Sequence, residues 1–333
     1  MNNLFFDNFS ESIQPVRVKC TNLFDKLKLD NKWNPELFFK LEIKKSYIKS
    51  VLRYCPETQK LQKSILVALK KKFNEFGYTQ FYPMLHLSQD KLEAGGFHYD
   101  QVDSKAIHTL WIAISDYSYN GLAIMPYNTQ NSFFNRLIIK SGITKILSKN
   151  ISVKRGDSFL WPGTLIHAGN FNNSNNYSLA MQMKIIGTKN TFAFEKTKQA
   201  TTVDVDYFNT DHYTEGNEIK DFDCFSDLIH HTVEISTEKS SFEQKFSKIN
   251  QKIISLEKNI NRQVVSFAFS ILSQRLLFSN KFNMSNSPNN QNLSLMLDFA
   301  SLALGSENLI SKKRILSHNS SLKNFLSSIL KIH

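Results

Sequence analysis

The chain has 333 residues, of which 41% are hydrophobic, and this content excludes a chain that is disordered throughout. Its formal net charge of +12 indicates a broadly basic surface or an anionic partner. No apolar run approaches the roughly 18 residues of a membrane span, and the N-terminus lacks the pattern of a secretory signal. The three cysteines are scattered, which is typical of reduced thiols. We therefore expect a cytoplasmic protein without a membrane span.

Residues 1–77 are predicted to form an N-terminal helical region. A helix is predicted after Pro56, where apolar residues recur every three to four positions before Gly77 ends the pattern. The stretch 40–72 carries ten basic residues against two acidic ones. A solvated helix face explains this charge most simply, and a site for nucleic acid, phospholipid or a phosphorylated substrate is the alternative.

Short strand patterns separated by turn residues fill residues 78–187. Pro83 predicts an edge strand or a break in the aromatic-rich run that begins this region. Later strands are predicted at 107–114, 121–125, 151–153, 158–161 and 177–186. Such a series predicts a mainly β core, a double-stranded β-helix or jelly roll, flanked by N- and C-terminal α-helices.

Residues 188–333 are predicted to form a mainly helical C-terminal extension. Apolar residues keep a spacing of three to four from Phe242 to Ile271, which predicts one long amphipathic helix over 242–271. Docking against the β core is the simpler interpretation of this helix. A homodimer formed by pairing of the same helix with a second copy is the alternative.

Two potential metal ligands stand two residues apart, at His98 and Asp100. Side chains alternate across an extended segment, so both point the same way and can reach one metal ion. His167, which closes a later strand-like run, is the best candidate for a third ligand. Two imidazoles and one carboxylate on one face of an octahedral ion leave three positions open, as in non-haem Fe(II) oxygenases. His86 and His108 are not predicted to be ligands.

Three motifs occur in order between Gly95 and Ile186. They are His98-Tyr99-Asp100, the run from Asn120-Gly121 to Pro126, and Gly156-Asp157 followed by His167-Ala168-Gly169 and Asn173-Ser174. In this order they resemble the phytanoyl-CoA dioxygenase-like family of Fe(II)- and 2-oxoglutarate-dependent oxygenases. The resemblance covers about a quarter of the chain. It implies a double-stranded β-helix in which His98, Asp100 and His167 bind Fe(II). It further implies 2-oxoglutarate and O2 as cosubstrates, and hydroxylation of a small or medium organic substrate.

One position departs from that family. Its members usually carry an arginine about eleven residues after the distal His, where the guanidinium pairs with the far carboxylate of 2-oxoglutarate. Ser178 occupies this position here. Lys184 lies on the same strand with the same parity and could supply a point charge instead. A neutral anchor formed by Ser178 and Tyr177 is the alternative.

The missing arginine keeps other functions open. A catalytically silent binding protein could keep the β core and engage a partner through its basic face and long helix. A cupin-like metalloenzyme without 2-oxoglutarate would fit the triad alone. A nucleic-acid demethylase ranks lower, because the arginine pair of such enzymes is not visible after His167 and the lysines lie outside the motifs. The expected partner is therefore a small molecule, and the basic charge suggests an anionic one.

Overall fold

The computed structural model describes residues 5–72, 76–90, 96–100, 107–115, 117–126, 132–169, 172, 174–187, 213–256, 260–280, 290–304, 311 and 314–315. The chain divides into two compact units, each assembled from several stretches of sequence. The first unit comprises residues 1–22, 30–33 and 56–209. The second comprises residues 23–29, 34–55 and 210–333.

Helices occur in both units. They are α1 (Gln14–Leu27), α2 (Phe38–Tyr54), α3 (Pro56–Lys72), α4 (Ser132–Lys140), α5 (Thr144–Leu147), α6 (Glu218–Thr237), α7 (Phe242–Ile254), α8 (Arg262–Asn280) and α9 (Asn290–Ala303). A short 3-10 helix covers Pro35–Leu37. Among the described residues, no helix is both long and apolar enough to cross a membrane.

The described strands lie in the first unit. They are β1 (Phe5–Asn8), β2 (Phe76–Tyr78), β3 (Tyr82–His86), β4 (Ile107–Ala113), β5 (Tyr117–Ile124), β6 (Lys149–Val153), β7 (Asp157–Pro162), β8 (His167–Gly169) and β9 (Ser178–Gly187). The larger sheet has the order β1-β7-β4-β9, with β2 and β3 pairing in succession along the other edge of β9. The smaller sheet has the order β6-β5-β8. All these pairs are antiparallel, as predicted. Pro83 does not break its strand but lies within β3, which pairs only with β9 among the described strands, so the edge position predicted as the alternative is the one that occurs.

One hydrophobic cluster of the first unit combines residues of both sheets. Its members are Trp111 and Ala113 of β4, Phe159 and Trp161 of β7, Ala180 of β9, Leu122 and Ile124 of β5, Val153 of β6, and Leu165. Residues two apart on a strand share a face, so this alternation turns one face of each sheet inward. Burying a large apolar side chain contributes about 1.5–3 kcal/mol, and this burial stabilises the packing of the two sheets.

Gly156 forms the turn between β6 and β7. Its φ is +86°, and a Cβ atom there would lie 2.6 Å from the backbone nitrogen of Ser10. Its N–H donates to the carbonyl of Ala113, and its own carbonyl accepts from the N–H of Phe9. Both the left-handed backbone and the close approach of Ser10 require glycine.

The second unit is built from helices that bury polar as well as apolar groups. Helix α8 packs against α2 and α9, and α9 also packs against α6 and α7. Between α8 and α9, the Ser266 hydroxyl donates to the carbonyl of Ser301, and the Ser273 hydroxyl donates to the carbonyl of Ser294. These small side chains let two helices approach closely while each hydroxyl keeps a hydrogen-bond partner.

The prediction of a single helix over 242–271 is wrong. Helix α7 ends at Ile254, and α8 begins at Arg262. Just before α8, the side chain of Asn261 donates to the Asp221 carboxylate at 2.6 Å and to the Thr214 carbonyl at 3.2 Å. These bonds stabilise a non-helical chain at Asn261. Both helices bury the same apolar stripe within their own unit, so its spacing continues across the break. The homodimer predicted from this stripe is not tested by a single chain.

The predicted fold class is confirmed in part. Antiparallel sheets with flanking helices are present, but the described strands form two open sheets and not a closed barrel. Helices, moreover, account for more of the described chain than strands do. The high helical content arises because α2 and α6 to α9 bury enough apolar surface to form a helical core in the second unit. The boundaries predicted at residues 77 and 187 stay a prediction.

Candidate metal centre

His98, Asp100 and His167 converge in the first unit. One potential ligand atom from each residue lies within 4.8 Å of the other two. Nε2 of His98 is 4.0 Å from Oδ1 of Asp100, and Nε2 of His167 is 3.9 Å from Oδ2. The structure therefore brings together the three residues that the sequence predicted as metal ligands.

A backbone bridge positions the two histidines. The N–H of His98 donates to the carbonyl of His167 at 2.9 Å, and the N–H of His167 donates to the carbonyl of His98 at 2.9 Å. Residues that exchange two hydrogen bonds in an antiparallel pair project their side chains to the same side. The ring centroids accordingly lie 4.5 Å apart. His167 is also held by β5, where it pairs with Ile124.

Hydrogen bonds to the backbone set the tautomer of both rings. Nδ1 of His98 lies 2.9 Å from the carbonyl oxygen of Gly96, and Nδ1 of His167 lies 3.0 Å from that of Leu165. A carbonyl oxygen can only accept, so in each neutral ring Nδ1 carries the proton and Nε2 keeps its lone pair. Histidines that bind metals are commonly oriented in this way. Both Nε2 atoms lie near Asp100 and have the lone pair that a metal ligand needs.

Thr109 and Lys184 hold the carboxylate of Asp100. The Thr109 hydroxyl donates to Oδ2 at 2.5 Å, and Nζ of Lys184 donates to the same oxygen at 2.8 Å. Nζ of Lys184 also donates to the Thr109 hydroxyl at 2.9 Å. Thr109 and Lys184 are direct partners in the pairing of β4 with β9, so the register of the larger sheet fixes this triangle.

The protonation states of Asp100 and His167 favour binding of a metal cation. Burial alone would raise the pKa of Asp100, but His167, Lys184 and the hydrogen bonds from Lys184 and Thr109 outweigh it and lower the pKa to about 2. Burial lowers the pKa of His167 to about 4, although Asp100 opposes the shift. At neutral pH Asp100 is therefore ionised and His167 is neutral, which are the forms that bind metal ions.

Of the residues predicted to hold a cosubstrate, Lys184 lies at the triad and the other two lie elsewhere. Ser178 is six residues away along β9, about 20 Å at roughly 3.3 Å per residue, and it pairs with His86 of β3. Its hydroxyl is buried and has no hydrogen-bond partner among the described residues. The Tyr177 hydroxyl is hydrogen-bonded to Thr21 at 2.9 Å. Cosubstrate binding by any of these residues stays a prediction.

His86 and His108 lie outside the triad, as expected. Burial lowers the pKa of His108, which is adjacent to Thr109 on β4 and points to the opposite face of that strand. Sequence reasoning missed two residues that contact the triad. Thr109 could have been found only from the register of β4 and β9. The ring of Trp161, which is 1% exposed, lies 5.0 Å from that of His167 and buries one side of it.

Comparisons with known proteins give weak similarities. No protein-family model and no curated protein matches the chain. The solved structure of EvdMO1 aligns at 16% identity over 40% of this chain and 31% of that one, with a TM-score of 0.31. AviO1 from Streptomyces viridochromogenes Tue57 aligns at 13% identity over 41% of this chain and 60% of its own, with a TM-score of 0.29. The aligned regions thus span less than two thirds of either protein.

A third similar structure is SnoK from nogalamycin biosynthesis, described as a non-haem alpha ketoglutarate dependent carbocyclase. It aligns at 13% identity over 55% of this chain and 81% of that one, with a TM-score of 0.34. Similarities of this size do not assign an activity to the chain.

Proposed function

We propose that the chain is a non-haem Fe(II) enzyme that uses 2-oxoglutarate and O2 to oxidise a small or medium organic substrate. The observation that carries this proposal is the cluster of His98, Asp100 and His167, with two preset Nε2 lone pairs and an ionised carboxylate. Two imidazoles and one carboxylate suit Fe(II) and leave coordination positions for other ligands. Fe(II) with a 2-oxo acid and O2 supplies the oxidising power for hydroxylation.

Lys184 supports an anionic cosubstrate. Its ammonium group has three donors, and the described contacts use two of them, on Asp100 and Thr109. The third can donate to a carboxylate near the triad. In this role Lys184 replaces the family's arginine as a point charge, which fits membership of the phytanoyl-CoA dioxygenase-like family. The basic composition of the chain also suits an anionic substrate.

A metalloenzyme or silent binding protein that does not use 2-oxoglutarate is the second candidate. It is favoured by the contacts of Lys184, which already neutralises Asp100, and by the distance of Ser178 from the triad. In that case Lys184 would only position the carboxylate. A nucleic-acid demethylase stays the lower-ranked alternative.

Succinate formation with Fe(II) and 2-oxoglutarate tests the proposal. We expect activity with candidate substrates, and its loss in the double variant His98→Ala, Asp100→Ala, because two of three metal ligands are removed. His230→Ala, a substitution of an exposed histidine in α6, should leave activity unchanged. Full turnover by the double variant would contradict the assignment of the triad as the metal site.

A further inference from the structure

Exposed apolar side chains are concentrated in the segment of α4 and α5. Six large hydrophobic residues of 133–147 are exposed, against five in the rest of the described chain. The six are Phe133, Phe134, Leu137, Ile143, Ile146 and Leu147. Phe133 is 67% exposed and Ile146 is 81% exposed. Exposed apolar side chains that are concentrated in this way mark an interaction surface.

Helix α4 projects three of its large apolar side chains away from the protein. At 100° per residue, Phe133 and Leu137 lie opposite Asn135, which is 1% exposed. The Asn135 side chain donates to the carbonyl of Thr164 at 3.3 Å. An ordinary surface helix buries its apolar face and exposes its polar one. Here a polar residue anchors the helix beside two half-buried isoleucines, and Phe133 and Leu137 project outward.

The same segment is strongly basic. Residues 132–155 contain no acidic residue and six basic ones, namely Arg136, Lys140, Lys145, Lys149, Lys154 and Arg155. A second copy placed face to face here would bring two such basic segments together, and repulsion opposes that arrangement. An anionic lipid surface offers apolar depth for Phe and Leu together with negative charge for Lys and Arg.

The segment is also connected to the metal centre. Nε of Arg136 donates to the hydroxyl of Tyr99, the residue between His98 and Asp100, at 3.2 Å. Thr164, which holds Asn135, lies three residues before His167. The outward apolar face is thus carried by a helix that contacts both segments of the triad.

We propose that α4 and α5 form an interfacial anchor that docks the protein on anionic phospholipid membranes. Phe133, Leu137 and Ile146 enter the boundary between headgroups and acyl chains, and the flanking lysines contact the phosphates. Docking places the metal centre beside the lipid surface, so its substrate would be an amphiphile taken from that surface. This consequence rests on the proposed function, whereas the docking does not.

Co-sedimentation of the metal-free protein with vesicles tests the docking alone. We expect binding to phosphatidylcholine vesicles that contain phosphatidylserine, and much weaker binding to phosphatidylcholine alone. The double variant Phe133→Ser, Leu137→Ser should bind at least about tenfold more weakly, because it removes buried apolar area. Lys140→Gln and Lys145→Gln should each reduce binding about fivefold. The matched control is Val67→Ser on α3, where Val67 is 59% exposed outside the patch.

Tryptophan fluorescence provides a second measurement, which reports whether residue 133 inserts into the membrane. Phe133→Trp should show a blue-shifted emission with anionic vesicles, since its indole would leave water. No binding to anionic vesicles, or equal weakening by Val67→Ser, would overturn the proposal. If the protein does not bind vesicles but forms dimers that Leu137→Ser dissociates, the exposed apolar residues of α4 contact a second copy of the chain instead. Binding only to an acidic protein would likewise overturn it.

Discussion

At the scale of single residues, Asp100 contacts one ammonium group and faces two imidazole rings. Lys184 and Thr109 donate to its Oδ2 atom, and the Nε2 atoms of two histidines lie about 4 Å from its oxygens. A divalent cation in the triad would therefore lie near an ammonium group that repels it. The same ammonium group would attract an anionic ligand of that cation. Under the proposed function, we therefore expect Lys184 to oppose metal binding and to favour cosubstrate binding.

This opposition predicts two effects of opposite sign for Lys184→Met. Co(II) should bind at least about tenfold more tightly, because a like charge near the ligands is removed. Binding of 2-oxoglutarate to the metal-loaded protein should weaken by about tenfold or more, because a charge-assisted hydrogen bond is lost. Titration calorimetry measures both affinities. Lys184→Arg keeps the charge and is the control, and a variant with unchanged 2-oxoglutarate affinity would favour the second candidate function.

The pKa of His167 predicts a pH dependence of the metal-free protein. Its folded pKa is about 4 and its ordinary value is 6.5, so between these values the unfolded chain binds more protons than the folded one. Stability should therefore fall as pH drops from 6.5 to 4, by on the order of 3 kcal/mol from this residue. Urea unfolding at several pH values across this range measures the free energy of unfolding. This free energy should fall less steeply with decreasing pH in His167→Gln than in the unmodified protein. The same pH dependence of the free energy of unfolding in both proteins would contradict a buried, neutral imidazole at position 167.

The sequence predicted the triad because part of its geometry is local. His98 and Asp100 share a side by strand alternation alone, and the ordered motifs pointed to His167. The contact of Lys184 with Asp100 was not predictable, because it depends on how β9 pairs with β4. The separation of Ser178 from the triad follows from strand length once the position of Lys184 is known.

At the scale of elements, a buried ionic group links α2 to α8. Glu42 is 1% exposed, and its carboxylate accepts from Lys45 at 3.2 Å and from Arg275 at 3.0 Å. Two cations therefore contact the same carboxylate. Charges that are buried in this way are stabilising only while they remain paired.

Removing that carboxylate should destabilise the helical unit. We expect Glu42→Gln to cost about 3–5 kcal/mol, because two largely buried cations lose their charged partner. Chemical denaturation followed by circular dichroism measures the change. Glu234→Ala, at an exposed position of α6, should cost less than about 0.5 kcal/mol. Equal effects of both substitutions would show that the ionic group does not connect the helices.

Element boundaries show the limit of periodicity. The helix after Pro56 and the strands near 107–114, 151–153, 158–161 and 177–186 followed from local pattern, and the structure has them, whereas β1 was not predicted. The break between α7 and α8 depends on bonds from Asn261 to Asp221 and Thr214, about forty residues away. A pattern of apolar residues contains no information about such a partner.

At the scale of the whole molecule, neither compact unit is continuous in sequence. Helix α2 belongs to the second unit, where it packs against α6 and α8, although both follow it by more than 160 residues. Side chains of α2 such as Tyr47, Ile48 and Leu52 are fully buried. Their burial depends on the C-terminal helices, and a composition shift along the chain could not reveal that dependence.

Truncation after residue 209 should therefore expose α2. We expect rapid proteolysis within 38–54 in the shortened protein, because its apolar face loses its partners. Co-expression of 1–209 with 210–333 as separate chains should restore protection and is the control. Equal protease resistance of the truncated and full-length proteins would show that α2 does not need these helices.

The proposed function requires that the triad binds Fe(II) and that the bound ion takes up 2-oxoglutarate. Anaerobic titration of the Fe(II)-loaded protein with 2-oxoglutarate tests both at once, through the weak visible charge-transfer band of a chelated complex. We expect a band that saturates with 2-oxoglutarate and is absent from the double variant His98→Ala, Asp100→Ala. Stoichiometric Fe(II) binding without any band, or the same band in the double variant, would contradict it.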